Sequence, residues 1–399
     1  MLGAVRVDAR RALPPESDPP VANLFLLPAL LLSLAAGLLP SHPDASPSRS
    51  AHHSSATPSE SAPARAGTSN NPFRTYQWGV YQGPMEQTWN PYVQASGRQK
   101  ELLGYIAHQP IAHWFGSWNP DDQVAGQVRG YIANAQHGDP NALVQLSIFR
   151  MEPWEHAICS RLPTRAERAS YKTWVDRVAG AIGNTPMAIV LQPDGPFALC
   201  APHGSTVPSQ LVAYAARVLS AQPRTSVYIE AGAADWPMFG TNGGVDAAVD
   251  ILVRGGIQYA RGFALDTTHE DSVTDEVNRA TAIADSLTRL GYPGRTAVIN
   301  TSSNGHPYKY GRYTGPDAVN PVVCPSATTS ASVTCETLGI PPTSDVGDPK
   351  WGLSSSTAAL AQSHVDAYLW FGRPWLTHVG SQPFNKDRAL QLVRSTPYR

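Results

Sequence analysis

The sequence is poor in charge and has none of the common nucleotide- or zinc-binding motifs. Only 15% of its 399 residues are charged and the formal net charge is -1, so no basic field is available to attract nucleic acid. A GxGxxG segment after the first predicted strand and a GxxxxGK segment are both absent, which leaves nucleotide binding without support. There is also no CxxC pair, and the sequence predicts neither a metal site nor a cofactor.

Cysteine occurs only four times, at Cys159, Cys200, Cys324 and Cys335. An even number of cysteines in an exported chain favours disulfides over a redox motif. The short spacing between Cys324 and Cys335 makes them a natural pair, and this pairing leaves Cys159 for Cys200. The alternative is that some of the four are free buried thiols.

The first 70 residues contain one long apolar run, from Leu24 to Leu39, and three arginines precede it. This order of charge and hydrophobicity is typical of an export signal. Residues 1–40 are therefore predicted to be a signal peptide, with a retained membrane anchor as the alternative. Residues 41–70 are rich in Ser, Pro and Ala and cannot form a core, so we expect a flexible linker that can serve as a tether to membrane or cell wall.

Seven short apolar runs alternate with amphipathic helical segments in residues 71–399, which are predicted to form one catalytic domain. The runs are apolar at nearly every position, as in parallel strands that are covered on both faces. This repeat predicts an α/β fold, either a distorted parallel (β/α) barrel of about seven strands, similar to a TIM barrel, or a doubly wound open sheet. The runs are Ile111–Phe115, Leu143–Phe149, Met187–Leu191, Ser226–Glu230, Tyr259–Asp266, Thr296–Thr301 and Val365–Phe371.

Carboxylates stand at the ends of several predicted strands. In parallel α/β folds the chemistry lies where the carboxyl ends of the strands meet their loops. One such residue alone is more often a helix cap or part of a solvated loop, but five carboxylates after four successive strands predict a functional site. The residues are Glu152, Glu155, Asp194, Glu230 and Asp266, followed by Asn300 at the next strand.

Tryptophan is abundant, with ten residues in the chain, and several lie beside the same strand ends. Aromatic side chains bury much area, so each tryptophan alone is more often a packing residue. Sugar rings stack on indole faces, however, and the combination with carboxylates favours a carbohydrate cleft. These tryptophans are Trp114, Trp118, Trp154, Trp236, Trp351, Trp370 and Trp375.

Short motifs accompany most of the predicted strands, and their order along the chain is informative. They are NPF at Asn71–Phe73, FRMEPWEHAIC at Phe149–Cys159, VLQPDG at Val190–Gly195, VYIEAGAADW at Val227–Trp236, RGFALDTTH at Arg261–His269, INTSSNG at Ile299–Gly305 and DAYLWFGRP at Asp366–Pro374. In this order they resemble the motifs of glycoside hydrolase family six, the cellobiohydrolases and endoglucanases. The resemblance covers the whole folded region.

The resemblance assigns roles to three carboxylates. In the family an aspartate after EP is the general acid, and Asp194 is the matching residue. Glu155 replaces the family's helper aspartate, although a different placement of the gap would choose His156. Glu230 matches the aspartate of the LDAGH motif. A negative neighbour such as Glu155 or Glu230 is expected to raise the pKa of Asp194 and keep it protonated.

The resemblance also implies an activity. We expect a secreted, extracellular and inverting glycoside hydrolase, a monomer that cleaves a β-1,4-glucan or a related polysaccharide. The chain departs from the family at Gly372, Leu376 and His378, where family members have a lysine, a glutamate and an aspartate. The alternative is therefore a carbohydrate-binding relative that has lost its catalytic base. Residues expected to bind substrate are Trp114, Trp118, Trp236, Asp266, Asn300, Asn304 and Trp370.

Overall fold

A seven-stranded parallel sheet forms the centre of the computed structural model, which describes residues 71–151, 160–238, 242–317, 320–377 and 383–399. Each strand pairs in parallel with the next strand along the chain, in the order β1 to β7. The predicted alternation of strands and helices is thereby confirmed. The strands are β1 (His113–Gly116), β2 (Val144–Phe149), β3 (Met187–Leu191), β4 (Thr225–Glu230), β5 (Gly262–Leu265), β6 (Thr296–Asn300) and β7 (Val365–Leu369).

Helices connect the strands in the repeating pattern that the sequence predicts. In the described ranges, α1 and α2 precede β1, one α-helix from α3 to α8 lies between each pair of successive strands, and α9 follows β7. The helices are α1 (Trp89–Gln94), α2 (Gly97–Ala107), α3 (Val124–Gln136), α4 (Arg165–Ile182), α5 (Val207–Ser220), α6 (Val245–Arg254), α7 (Val273–Arg289), α8 (Ser355–His364) and α9 (Lys386–Ser395).

The sheet curls until its first and last strands approach each other. Ile111, just before β1, forms a parallel bridge with Trp370, just after β7. The backbone N–H of Ala112 donates to the Trp370 carbonyl at 2.9 Å, and Trp114 Nε1 donates to the carbonyl of Phe371 at 2.5 Å. The fold is therefore the distorted (β/α) barrel that we expected, with a narrow seam between β1 and β7.

The core has an inner and an outer part because successive strand residues point to opposite faces of the sheet. The outer part packs the strands against the helices. Small residues on the inner face, including Ala188, Ala264 and Ala367, leave room for the rings of Phe73 and Tyr228. These rings lie 5.7 Å apart inside the barrel, so aromatic side chains fill the space that the alanines leave.

A buried aspartate, Asp366 on β7, joins four elements inside the barrel. Its Oδ2 accepts hydrogen bonds from Tyr228 Oη at 2.7 Å, Thr296 Oγ1 at 2.5 Å and Arg261 Nε at 2.9 Å. Its Oδ1 accepts a further bond from Arg261 Nη2 at 3.0 Å, and its backbone carbonyl accepts one from the amide of Asn71 at 2.6 Å. Asn71, the first residue that the structure describes, is thus anchored in the barrel.

The structure confirms one of the two predicted disulfides, Cys324–Cys335. The other pairing involves Cys159, which lies outside the described residues, so a bond between Cys159 and Cys200 stays a prediction. The predicted signal segment at 1–40 and linker at 41–70 also lie outside them. Within the described ranges, no helix is both long enough and apolar enough to cross a membrane.

Replacement of Asp366 should destabilise the fold. In Asp366→Asn the Arg261 guanidinium, with 27% of its side chain exposed, would lose its counter-charge. Removing one partner of a buried ion pair costs about 3–5 kcal/mol, so we expect a loss of about 3 kcal/mol in the free energy of unfolding. Urea denaturation followed by circular dichroism measures it. The exposed Asp285→Asn is the matched control and should change stability by less than about 0.5 kcal/mol; equal effects of the two variants would contradict the assignment.

Candidate functional site

The carboxyl ends of the strands form one rim, and the predicted polar residues follow it. Glu230 and Asn300 are the last residues of β4 and β6. Asp194 follows shortly after β3, which ends at Leu191, and Asp266 comes directly after β5. Because the strands are parallel, the loops that carry these residues all begin at the same edge of the sheet.

Asp194 has an unusual backbone and an available carboxylate. Its φ of 61° and ψ of 33° lie in the left-handed region, which aspartate tolerates better than most residues do. Although it precedes the short 3₁₀ helix Gly195–Cys200, its side chain makes no capping hydrogen bond there. Its Oδ1 instead accepts a hydrogen bond from Thr268 Oγ1 at 3.1 Å. Asp194 is therefore not simply a helix cap.

The electrostatic surroundings of Asp194 favour its protonated form. Burial raises the pKa of Asp194, while the hydrogen bond from Thr268 and the positive charge of His269 oppose the rise. The residue is half-buried, so part of it reaches solvent. A carboxyl group that holds its proton to higher pH than usual, and is still accessible, can act as a general acid.

Glu230 is buried and holds the backbone on which Asp194 stands. Its Oε2 accepts a hydrogen bond from the N–H of Gly195 at 2.6 Å, and its Oε1 accepts one from Gly232 at 3.0 Å. A Cβ atom at position 195 would lie 2.0 Å from the Glu230 carbonyl oxygen, so only glycine allows this close approach. Burial, then repulsion from Asp194, raises the pKa of Glu230 well above its ordinary value.

From the sequence we expected Glu230 to be a negative neighbour of Asp194, and its contacts give it a different emphasis. The Glu230 side chain is only 1% exposed. Because both of its oxygens accept backbone hydrogen bonds, from Gly195 and from Gly232, Glu230 fixes the geometry of the two loops. It is a positioning residue.

Three residues that we expected to bind substrate are buried instead. Asp266, Asn300 and Asn304 are each at most 4% exposed. Asn300 Oδ1 accepts hydrogen bonds from the N–H groups of Phe371 and Gly372, both at 3.1 Å, and its Nδ2 donates to the Asp266 carbonyl at 2.9 Å. The expectation is corrected, because the three side chains are buried and Asn300 uses its amide group to join the loops after β5 and β7.

The tryptophans that we expected to bind substrate also differ in their exposure to solvent. Trp118 is 50% exposed and Trp236 is half-buried, so both offer ring surface near the rim. Trp114 is half-buried, with the guanidinium of Arg373 stacked 4.9 Å from its ring centre. Trp370 is fully buried in the seam between β1 and β7 and donates from Nε1 to the Ile340 carbonyl at 2.9 Å. The expectation for Trp370 is corrected, since no face of its indole is open to a sugar.

A histidine and an aspartate that were not expected in the site lie beside Asp194. His269 Nδ1 lies 2.6 Å from Asp235 Oδ1, and Asp235 Oδ2 accepts the backbone N–H of Tyr310 at 2.6 Å. Burial alone would raise the pKa of Asp235, but hydrogen bonds from His269 and Asp271 carry it below its ordinary value. Both residues occur in quoted strand-end motifs, so their position was a usable signal. Their pairing was not visible because it joins two loops.

A second group of carboxylates lies behind this pair. Carboxylate oxygens of Asp266, Asp271 and Glu276 lie within 4.8 Å of one another. Burial raises the pKa of Asp266 and Glu276 well above their ordinary values, and burial with the Asp235 hydrogen bond raises that of Asp271 to about 7. Lys309 forms ion pairs with Asp271 and, at 3.0 Å, with Asp275. Protonation of these carboxyl groups and the ammonium group of Lys309 can therefore balance the negative charge of this cluster.

Four residues of the sequence predictions cannot be placed in this site. Glu152, Trp154, Glu155 and His156 lie outside the described residues, so the role expected for Glu155 stays a prediction. The same holds for His378.

A family model described as glycosyl hydrolases family 6 matches residues 74–375. Among curated proteins, endoglucanase A of Cellulomonas fimi is 32% identical over 231 residues, which are 57% of this chain and 47% of that enzyme. Endoglucanase 1 of Streptomyces halstedii is 27% identical over 228 residues, which are 55% of this chain and 66% of that enzyme. The matches thus span less than two thirds of either relative.

Solved structures match over nearly their whole length. The endoglucanase Cel6 of Mycobacterium tuberculosis, solved in complex with methyl-cellobiosyl-4-deoxy-4-thio-β-D-cellobioside, gives a TM-score of 0.61 at 25% identity and covers 81% of this chain and 98% of that chain. The catalytic core domain of a Chaetomium thermophilum cellobiohydrolase gives 0.60 at 17% identity and covers 82% and 99%. The latter likeness concerns the fold alone.

Glu230→Gln should weaken the link between the two loops. One half of the amide is an NH₂ group, which would face the N–H of Gly195 or Gly232 and leave a buried donor unsatisfied. Such a loss costs about 1–3 kcal/mol, which we expect to see in the free energy of unfolding from urea denaturation. Glu101→Gln, at an exposed position paired with Arg98, is the control and should cost less than about 0.5 kcal/mol. Unchanged stability of Glu230→Gln would show that the two hydrogen bonds do not hold the loops.

Proposed function

The chain belongs to the glycosyl hydrolases of family 6, and on that premise we propose that it hydrolyses cellulose or a related β-1,4-glucan with inversion at the anomeric carbon. The endoglucanase names of its curated relatives support the choice of substrate. The observation that carries the proposal is the accessible carboxyl group of Asp194, with its raised pKa, at the carboxyl end of β3.

Asp194 is the proton donor in this proposal. Cleavage of a glycosidic bond leaves negative charge on the departing oxygen, and a proton delivered to that oxygen lowers the barrier. Burial keeps the carboxyl group protonated to higher pH than an ordinary aspartate. Glu230 accepts a hydrogen bond from the backbone N–H of the next residue, Gly195. This bond fixes the backbone position from which the Asp194 side chain extends.

The second half of an inverting reaction is the attack of water on the opposite face of the sugar. Inverting glycosidases place the acid and the base about 6.5 to 9.5 Å apart, which leaves room for the water molecule. From the family resemblance, Glu155 is the carboxylate that we expect to order this water.

Aromatic side chains on the rim are suited to hold the sugar rings. Trp114, half-buried, lies on β1, the exposed Trp118 follows that strand, and the half-buried Trp236 follows β4. In the sheet order, β1 and β4 lie on either side of β3, which carries the Asp194 loop. Stacking on flat apolar faces lets a glucan chain slide while the carboxyl group acts at one bond.

A non-catalytic carbohydrate-binding protein is the second candidate, and the loop after β7 favours it. At Gly372, where family members have a lysine, a Cβ atom would lie 2.4 Å from Ser302 Oγ and 3.0 Å from Asn300 Nδ2. Leu376, at the position of the family's glutamate, is 1% exposed. This loop therefore offers neither of those charges to a substrate. A reducing-sugar assay over a panel of polysaccharides, run beside a binding assay, separates turnover from binding alone.

The proposal includes export and a monomeric state. The apolar run at Leu24–Leu39, followed by a Ser/Pro/Ala-rich stretch, supports a secreted domain or one tethered to membrane or cell wall. Polymeric glucans do not enter cells readily, so a hydrolase that acts on them works outside. Size-exclusion chromatography with light scattering and fractionation of producing cells test these two points.

Asp194→Asn should lower turnover on unactivated polysaccharide by about 10²- to 10⁴-fold, because general acid catalysis contributes a factor of this size. The loss should be much smaller on an aryl glycoside, whose leaving group needs little protonation, and glycan binding should survive. Kinetics on both substrates and isothermal titration with an oligosaccharide measure this, with Asp285→Asn as the control. Equal losses on the two substrates would remove Asp194 from the role of acid.

Thr268→Val should move the alkaline limb of the pH–activity profile upward. The Thr268 hydrogen bond stabilises the ionised form of Asp194, so its removal raises the pKa of that carboxyl group. Activity, which needs the proton, then persists to higher pH. Since Thr268 is exposed to solvent, we expect this upward shift of the limb to be small. Thr288→Val on α7 is the control; a limb that moves downward or stays in place would contradict the assignment.

A further inference from the structure

The Asp235–His269 pair has the geometry of a base and its orienting group. The imidazole Nδ1 and the Asp235 carboxylate are 2.6 Å apart, and their side chains are only 9% and 13% exposed. Asp235 also accepts a hydrogen bond from the backbone N–H of Tyr310. Against the effect of burial, hydrogen bonds from His269 and Asp271 keep the pKa of Asp235 below its ordinary value, so Asp235 is the acceptor and the proton between it and His269 belongs on Nδ1.

Two aromatic rings fix the orientation of this imidazole. The Trp236 ring stacks on one side, with centres 5.4 Å apart and an interplanar angle of 11°, and the Tyr310 ring stacks at 5.0 Å and 25°. The ring therefore cannot turn without losing both the stack and the hydrogen bond to Asp235. Its orientation is set before any substrate arrives, which is what a catalytic group requires.

The second ring nitrogen, Nε2, is free to act. No described residue forms a hydrogen bond with Nε2. This atom keeps some solvent-accessible surface, although the side chain as a whole is only 9% exposed. With Nδ1 protonated, the neutral imidazole carries its lone pair on Nε2 and can accept a proton there.

His269 and Asp194 belong to the same site. Thr268, the residue before His269, donates to Asp194 Oδ1, and His269 lies near enough that its protonated form lowers the pKa of the Asp194 carboxyl group. The two groups come from different loops, the one after β3 and the one after β5. Other charged or titratable groups near the imidazole are Asp235 itself, Tyr310, and Asp271 with its partner Lys309 behind Asp235.

We propose that His269, oriented by Asp235, is the general base that takes the proton from the attacking water. This inference rests on the proposed glycoside hydrolysis. In the step, the water oxygen bonds to the anomeric carbon, the glycosidic C–O bond breaks, and Asp194 gives its proton to the departing oxygen. Nε2 of His269 receives one proton from the water and later returns it to solvent, while Asp194 regains its proton. One water is consumed, and each new chain end carries a hydroxyl group.

His269→Gln tests this role directly. We expect turnover on a soluble glucan to fall by about 10²- to 10⁴-fold, and the acidic limb of the pH profile that reports protonation of the base to disappear. Sodium azide, a nucleophile that needs no deprotonation, should restore cleavage of an activated aryl glycoside and give a glycosyl azide of inverted configuration. A merely structural role would not produce azide rescue.

Asp235→Asn and a remote control complete the test. In Asp235→Asn the amide can donate to Nδ1 and shift the imidazole proton to Nε2, so we expect a comparable loss of turnover. Tyr259→Phe, at a tyrosine that is 45% exposed and lies outside the site, should remain near wild-type activity. Circular dichroism and thermal melting verify that each variant folds.

The outcomes separate this inference from the proposed function. An inactive wild-type protein on every glucan tested would refute the proposed function and the base with it. An active wild type with His269→Gln unchanged in rate and pH profile, or without azide rescue, would overturn only the base. Azide rescue of Glu155→Gln in place of His269→Gln would assign the base to Glu155 and equally overturn the inference.

Discussion

Two backbone N–H groups converge on the buried carboxyl group of Glu230, and the geometry of the rim depends on this convergence. Gly195 and Gly232 lie in neighbouring loops, after β3 and β4, and both donate to the same side chain. Removing a buried acceptor that serves two buried donors destabilises the fold, because both N–H groups are left without a partner. Asp194, one residue before Gly195, is therefore held in its left-handed backbone conformation by a neighbour that never meets the substrate.

The acidic residues at the rim have different roles according to how deeply they are buried. Glu230, Asp266 and Glu276 are at most 1% exposed and accept hydrogen bonds from loop backbone or amide groups. Asp194 is only half-buried, and among the described residues its carboxyl group accepts a hydrogen bond from the exposed hydroxyl of Thr268. The buried carboxyl groups thus support the loops, and Asp194 is the one that can act on a substrate. Their burial also explains why the pKa values of all four are raised.

The sequence predicted the fold well because its signals are local. Apolar runs such as Met187–Leu191 form strands with the predicted ends, and the residues that follow them lie on the rim. Predictions of side-chain roles depended on packing that the sequence does not display. Trp370 follows β7 and Asn300 ends β6, as expected. The seam between β1 and β7 buries Trp370, and the side chain of Asn300 hydrogen-bonds to the backbone of the loop after β7. The contact of His269 with Asp235 joins residues 34 positions apart and arises only from the fold.

The stereochemistry of the first product tests the central claim, that acid and base act from opposite faces of a sugar. Hydrolysis of a soluble β-1,4-linked cello-oligosaccharide can be followed by ¹H NMR of the anomeric protons, faster than mutarotation equilibrates them. An initial excess of the α-anomer at the new reducing end is the predicted result. An initial excess of the β-anomer would mean a covalent intermediate with retention, and would contradict the roles of Asp194 and its water-activating partner.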